Sequence, residues 1–257
     1  MAMNRVKFGH WPRRALGAAL VAVAALTLAA ADQDRAHKNP VLIELFTSQG
    51  CASCPKANAF LGQLSHEPNT IALTYPVGYW DYLGWKDTFA KPEFAERQKS
   101  YAAIFKRGVY TPQMVVDGEA HTNGLRPPAV RRMFEQVRML GGVKVKMKRE
   151  GGKATVALHG ATPGQAADIW LIQYAPGPIY VQVKGGENAG MRMPHYNLVT
   201  QLSSAGAWTG GAKQVDLACE PACAVIVQEK QTGRVLAAKM LAPGDQGVAA
   251  AGAPSGG

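Results

Sequence analysis

The apolar run Val41–Phe46 ("VLIELF") is followed four residues later by Cys51-Ala52-Ser53-Cys54. No other stretch restricts the fold as much. A continuous apolar run with β-branched members reads as a strand buried on both faces. Beyond the cysteines, Ala57, Phe60, Leu61 and Leu64 recur at the spacing of one helix face. Strand, short turn and helix form half of a βαβ unit, and the helix is expected to begin at Cys51. There the unpaired backbone N–H groups and the macrodipole favour a thiolate. Pro55 and Lys56 suit an early helical turn, and Lys56 adds positive potential. Such a motif provides one exposed, nucleophilic sulfur and one buried, resolving sulfur. These roles are expected of Cys51 and Cys54. The same pair would also serve as an inert disulfide. With Cys219 and Cys223 it would form a tetrahedral zinc site, if the fold brought the pairs together.

The N-terminus assigns a compartment to these thiols. Arg5, Lys7, Arg13 and Arg14 form a basic leader without an acid, followed by "ALGAALVAVAALTLAAA". Ala29-Ala30-Ala31 then gives a small-residue cleavage pattern before Asp32. Residues 1–31 are therefore expected to be a cleaved signal peptide, the protein periplasmic or secreted, and no stable membrane anchor retained. "PRRALG" is a poor match to a twin-arginine signal. An exported chain meets oxidising conditions, where cysteines form and exchange disulfides. Removing the four leader cations lowers the formal charge from +10 to +6. The remaining charge is spread along the chain, and the lysines of "VKVKMKRE" alternate as on one wet strand face. Nucleic acid is not an expected partner.

Residues 32–39 read as a flexible lead-in. Residues 40–142 read as an α/β domain with a second strand at "NTIALTYPV" and a helix from Pro92 to about Lys106. A hairpin in "TPQMVVDGEAHTNG" turns at Asp117-Gly118. A helix in "RPPAVRRMFEQVRML" is closed by Gly141-Gly142. From Val143 the pattern changes to strands and turns: "VKVKMKR", "KATVALHG", "ADIWLIQYA", "IYVQV", "KQVDLA", "CAVIVQEK" and "RVLAAKML". This predicts an all-β sandwich over residues 143–242, and a Gly/Ala-rich disordered tail over 243–257.

Gly108, Thr111-Pro112, the strand "QMVV" and the Asp117-Gly118 turn resemble the arrangement of the thioredoxin fold. That resemblance implies a cis Pro112 facing the disulfide, with Thr111 offering backbone to a substrate. The stretches "ELFTSQGCASCPKAN", "GYWDYLGWKDTFAKPEFAERQKSYA" and "VYTPQMVVDG" are similar to a family of predicted secreted proteins, domain of unknown function 1223. The similarity implies a thioredoxin-like α/β domain followed by an all-β domain, and no particular substrate. Members often carry a His or Asp before the equivalent of Tyr79-Trp80-Asp81, where this chain has Pro76-Val77-Gly78. Thioredoxin-like proteins also often carry an acid about where Glu44 stands. The likeness implies that Glu44 sits beneath the disulfide and accepts the Cys54 proton; the alternative is a hydrogen bond to backbone.

Tyr79, Trp80, Asp81, Tyr82 and Trp85 would pave a peptide-binding surface or cover the sheet. Met191, Met193 and His195 alternate in "MRMPHYN", a set that suits Cu(I) or ordinary packing. His195-x-Asn197 resembles a recurrent pair of the family's β domain. Cys219 and Cys223 flank a proline-containing turn and are expected to form a local structural disulfide; a second, electron-relaying redox pair is the alternative.

The sequence therefore predicts an exported thiol–disulfide oxidoreductase. Its catalytic set is Cys51, Cys54, Pro112 and Glu44, and Thr111, Tyr79 and Trp80 contact substrate. The disulfide is itself the redox group, so no metal or other cofactor is expected. The expected partners are protein or peptide thiols and disulfides. A soft-metal (copper) binding protein and a redox-inert scaffold are the competing classes.

Overall fold

The computed structural model describes residues 40–136 and 142–245. The expected signal peptide, the lead-in, Gly141 and the tail beyond Asp245 lie outside the described residues. Elements follow in the order β1 (Val41–Thr47), α1 (Cys54–Leu64), β2 (Thr70–Pro76), α2 (Pro92–Ile104), β3 (Gln113–Val116), β4 (Ala120–Thr122) and α3 (Pro127–Gln136). Strands β5 (Val143–Glu150), β6 (Lys153–Gly160), β7 (Ala167–Ala175), β8 (Ile179–Gln182), β9 (Arg192–His195), β10 (Leu198–Trp208), β11 (Gly211–Ala218), β12 (Ala222–Glu229) and β13 (Val235–Leu241) complete the fold. Among the described residues no helix is long and apolar enough to cross a membrane.

A mixed eight-stranded sheet dominates, in the order β13-β12-β7-β10-β2-β1-β3-β4. β1 and β2 run parallel, as the crossover through α1 requires, and β3 returns antiparallel beside β1. Asp117 and Gly118, with φ of 46° and 70°, turn β3 into β4, which is the left-handed geometry an Asp-Gly pair favours.

The sheet crosses the boundary expected between residues 142 and 143. β2 would be an open edge if the first 142 residues stood alone. Leu198 of β10 pairs with Thr74 of β2, and the Asn197 carbonyl accepts from Thr74 N–H at 3.1 Å. The four later strands thus extend the same sheet, and unpaired edge groups are satisfied. The core follows suit: Phe46, Tyr75, Phe94 and Tyr101 pack with Ile172, Tyr174, Ala224 and Ile226. Each such large buried side chain contributes roughly 1.5–3 kcal/mol.

β11, β6 and β5 form a separate antiparallel sheet. Met147, Val156, Leu158 and Leu217 from it pack on Ile169, Trp208, Val225 and Val227. "IYVQV", expected within that β assembly, pairs elsewhere: β8 and β9 form their own two-stranded hairpin.

Candidate functional site

α1 begins at Cys54, not at Cys51. Pro55 has no N–H to donate and occupies the first helical turn, where none is needed. This sets Ser53 as the cap residue and leaves Cys51 in the turn before it, its carbonyl accepting from Cys54 N–H at 3.0 Å. Cys51 and Cys54 are joined as a disulfide with Cα atoms 5.4 Å apart, within the usual span.

The turn that presents Cys51 is tied down by Gln49 and Asp87, which sequence reasoning did not single out, together with the expected aromatic residues Trp80 and Trp85. The Asp87 carboxylate accepts N–H from Gln49 at 2.7 Å, from Phe89 at 3.0 Å and from Ala90 at 3.1 Å. Burial raises the Asp87 pKa, against the pull of those three donors. The Gln49 side chain donates to Thr88 Oγ1 at 2.9 Å and accepts from Trp85 Nε1 at 2.8 Å. Gly50 passes close beneath Trp80: a Cβ there would come 3.1 Å from the Trp80 Cβ. Polar residues outside any motif carry no sequence signal of this kind, because their role comes from partners tens of residues away.

The expected exposed nucleophile is covered. Cys51 is 3% exposed and Cys54 fully buried. Val183 and Met193 share one buried cluster with the two cysteines, and Trp80, Trp85 and Val181 pack against it. A short 3-10 turn, Gly186–Asn188, lies between β8 and β9. From it the Asn188 amide donates to the carbonyls of Gln49 and Cys51, both at 2.9 Å, and Glu187 Oε2 accepts from Ala52 N–H at 3.2 Å. Gly185 lies against the 84–85 turn, where a Cβ would come 2.6 Å from the Gly84 carbonyl. The hairpin that sequence patterning assigned to a distant β domain thus forms the roof of the site.

Glu44 does not sit beneath the disulfide. Side chains alternate across a strand. Ile43 and Leu45 face α1, packing with Ala57, Phe60 and Leu61; Glu44 therefore faces α2 on the opposite side. There Arg97 holds it in a two-pronged ion pair, Nε to Oε1 at 2.5 Å and Nη2 to Oε2 at 2.9 Å. The Tyr101 hydroxyl also donates to it. Gln228 of β12 donates to the same hydroxyl at 2.9 Å. The arrangement is a buried polar tie between α2, β1 and β12.

Thr111-Pro112 is a cis peptide bond, and Pro112 is buried at the start of β3. Trp80 links this segment to the disulfide cluster, its Nε1 donating to Thr111 Oγ1 at 2.6 Å. Tyr79 turns the other way and packs on the α2 side of the sheet. Exposed Tyr82 stacks on Trp80, ring centres 6.2 Å apart.

Cys219 and Cys223 form a second disulfide, both sulfurs buried in the core between the two sheets. That cluster is separate from the one around Cys51, so the fold does not gather the four cysteines. Among the described residues no three His, Cys, Asp or Glu side chains form a metal-holding group. His195 is buried against Phe89, its Nδ1 3.4 Å from Asn58 Nδ2, and burial pushes its pKa down to about 4. Asn197 donates to the Ala72 carbonyl at 2.9 Å, fastening β10 to β2.

Residues 42–237 match the model of a family described as a protein of unknown function (DUF1223). No curated protein matches the chain. Among solved structures, the X-ray crystal structure of a protein from Agrobacterium tumefaciens is similar, with a TM-score of 0.70 and 28% identity over 83% of this chain and 99% of that one.

Proposed function

Starting from the premise that this chain belongs to the DUF1223 family of proteins of unknown function, we propose that it is an exported thiol–disulfide oxidoreductase. On this reading a thioredoxin-like first half carries the redox pair and a sandwich-like second half completes the sheet and roofs the site. The observation that carries the proposal is the bridged Cys51–Cys54 pair at the start of α1, immediately behind the buried parallel strand β1. A thiolate there is favoured by the helix N-terminus. The Cys51 thiolate attacks one sulfur of a substrate disulfide and the other sulfur leaves as a thiolate. Cys54 then attacks Cys51 in the mixed disulfide, releasing the second substrate thiolate. Two electrons pass to the substrate. The reverse sequence oxidises a substrate dithiol, and the two potentials set the direction.

Thr111 and Trp80 border the site and support a role in holding an extended peptide or protein substrate. Glu44, bound to Arg97 across the sheet, has no part in this mechanism. Cys51 is 3% exposed, so on this reading access to it requires the residues packed against it to move.

The test is trapping. Reduced Cys54→Ala, incubated with a peptide disulfide, accumulates a mixed disulfide at Cys51, read by peptide mass. Absence of any adduct, or adduct formation only at Cys54 in Cys51→Ala, overturns the assignment. N-terminal sequencing of exported protein tests the compartment, with a start at Asp32 expected.

A further inference from the structure

β9 and the residue after it run along α1 in step with its turns. The Tyr196 ring covers Gly62, where a Cβ would come 2.4 Å from it. One turn earlier, Asn58 Nδ2 donates to the Pro194 carbonyl at 2.8 Å. One turn earlier again stands Cys54, and Met193 belongs to its buried cluster with Cys51 and Val183. This register places Met193 beside Cys54, in one buried cluster with Cys51. All three residues are buried, and Val181, Val183, Trp80 and Trp85 wall them in.

The donor set selects the ion. His195 is the next residue on the same face of β9, but it remains with Asn58 and Phe89. No oxygen- or nitrogen-rich group of three is present among the described residues. Two thiolates and a thioether in an apolar enclosure form an all-sulfur set, which suits a soft monovalent ion over zinc.

We propose that the reduced protein binds one Cu(I) ion through Cys51, Cys54 and Met193. The proposal rests on the reading above only in requiring that the Cys51–Cys54 bridge can be reduced. A dithiol reductant supplies two electrons and two protons, yielding two thiols and becoming a disulfide itself. Cu(I) then displaces both thiol protons to solvent and accepts a lone pair from the Met193 sulfur. The resulting centre carries one net negative charge, placed at the N-terminal end of α1, where the positive end of the macrodipole stabilises it. When a substrate disulfide takes two electrons from the two thiolates and two protons from solvent, becoming a dithiol as Cys51–Cys54 re-forms, two of the three donors are lost and the ion is released, so copper occupancy and disulfide formation exclude each other.

The experiment is an anaerobic titration of the full chain, reduced with a dithiol, by Cu(I) in competition with a coloured Cu(I) chelator. Wild type takes up one equivalent, and X-ray absorption reports sulfur-only coordination. Met193→Leu preserves volume and apolarity and binds at least tenfold more weakly. Cys51→Ser and Cys54→Ser do not compete with the chelator. Equal affinity of Met193→Leu and wild type overturns the proposal. So does a failure of wild type to bind copper while alkylation shows both thiols free, an outcome that leaves the oxidoreductase reading intact. A bridge that dithiols do not reduce in the folded protein overturns both.

Discussion

The Asn188 side chain donates to the Cys51 carbonyl at 2.9 Å, across 137 residues of sequence. Its second proton goes to the Gln49 carbonyl. One amide thus grips the backbone on both sides of Gly50 and fixes the roof over the disulfide. Net worth is about 1 kcal/mol for each such bond. With two bonds lost, Asn188→Ala should therefore speed reduction of Cys51–Cys54 by a small dithiol by up to about thirtyfold, read by quench and mass shift. An unchanged rate would show that the Gly186–Asn188 turn does not limit access.

Glu44 and Arg97 should matter to stability and not to exchange. Glu44→Ala strands a buried guanidinium that is 2% exposed, and breaking a buried pair from one side costs about 3–5 kcal/mol. Denaturant melts should shift accordingly, while the Cys51 alkylation rate of the folded variant stays within about twofold of wild type. A much slower rate and altered pH profile in Glu44→Gln would restore a proton-transfer role to this residue.

Two buried groups should oppose each other in the pH dependence of stability. Burial raises the Asp117 pKa to about 7, with Glu119 and Glu44 adding to it and the Leu42 N–H bond opposing. The folded state then holds a proton that the unfolded state has lost, so this contribution is full below about pH 4 and disappears as pH rises through 7. His195 works the other way. Its pKa falls to about 4, so its contribution is present above about pH 6.5 and is lost as pH falls toward 4. Asp117→Asn should therefore gain stability relative to wild type as pH rises from 4 to 7. His195→Gln should lose the acid-side slope. Parallel stability curves for wild type and Asp117→Asn would rule this out.

The second disulfide should be mechanically local. Cys219 and Cys223 close a four-residue separation in the core between the sheets, and small loops add little by constraining the unfolded chain. The double variant Cys219→Ala with Cys223→Ala should keep Cys51–Cys54 exchange within about twofold of wild type. Loss of turnover with the fold intact, read by circular dichroism, would make the pair an electron relay.

Much of the first half was legible in sequence because its signals are local. "VLIELF" became β1, Asp117-Gly118 became the turn between β3 and β4, and Pro92 opened α2. The placement of Cys51 within the helix was off by one turn, because Pro55 shifts the first helical residue to Cys54. Glu44 was located by its place in the chain, although a strand's alternation decides which face a side chain serves, and here it serves α2.

What the sequence by itself determined was the nearest-neighbour chemistry: a buried strand feeding a C-x-x-C helix, two short-range cysteine pairs, and the turn residues that reverse the chain. Only the tertiary structure decided that the later strands continue the first sheet, that Asn188 and Met193 roof a disulfide more than 130 residues away, and that Gln49 and Asp87 hold it in place. The physical reason lies in the range of the forces. Backbone propensity and turn geometry act over a few residues and leave periodic patterns. Burial of a sulfur, pairing of a strand edge and satisfaction of a buried carbonyl depend on whichever surface arrives from elsewhere, and β8 and β9 carry no local mark of which surface they will cover.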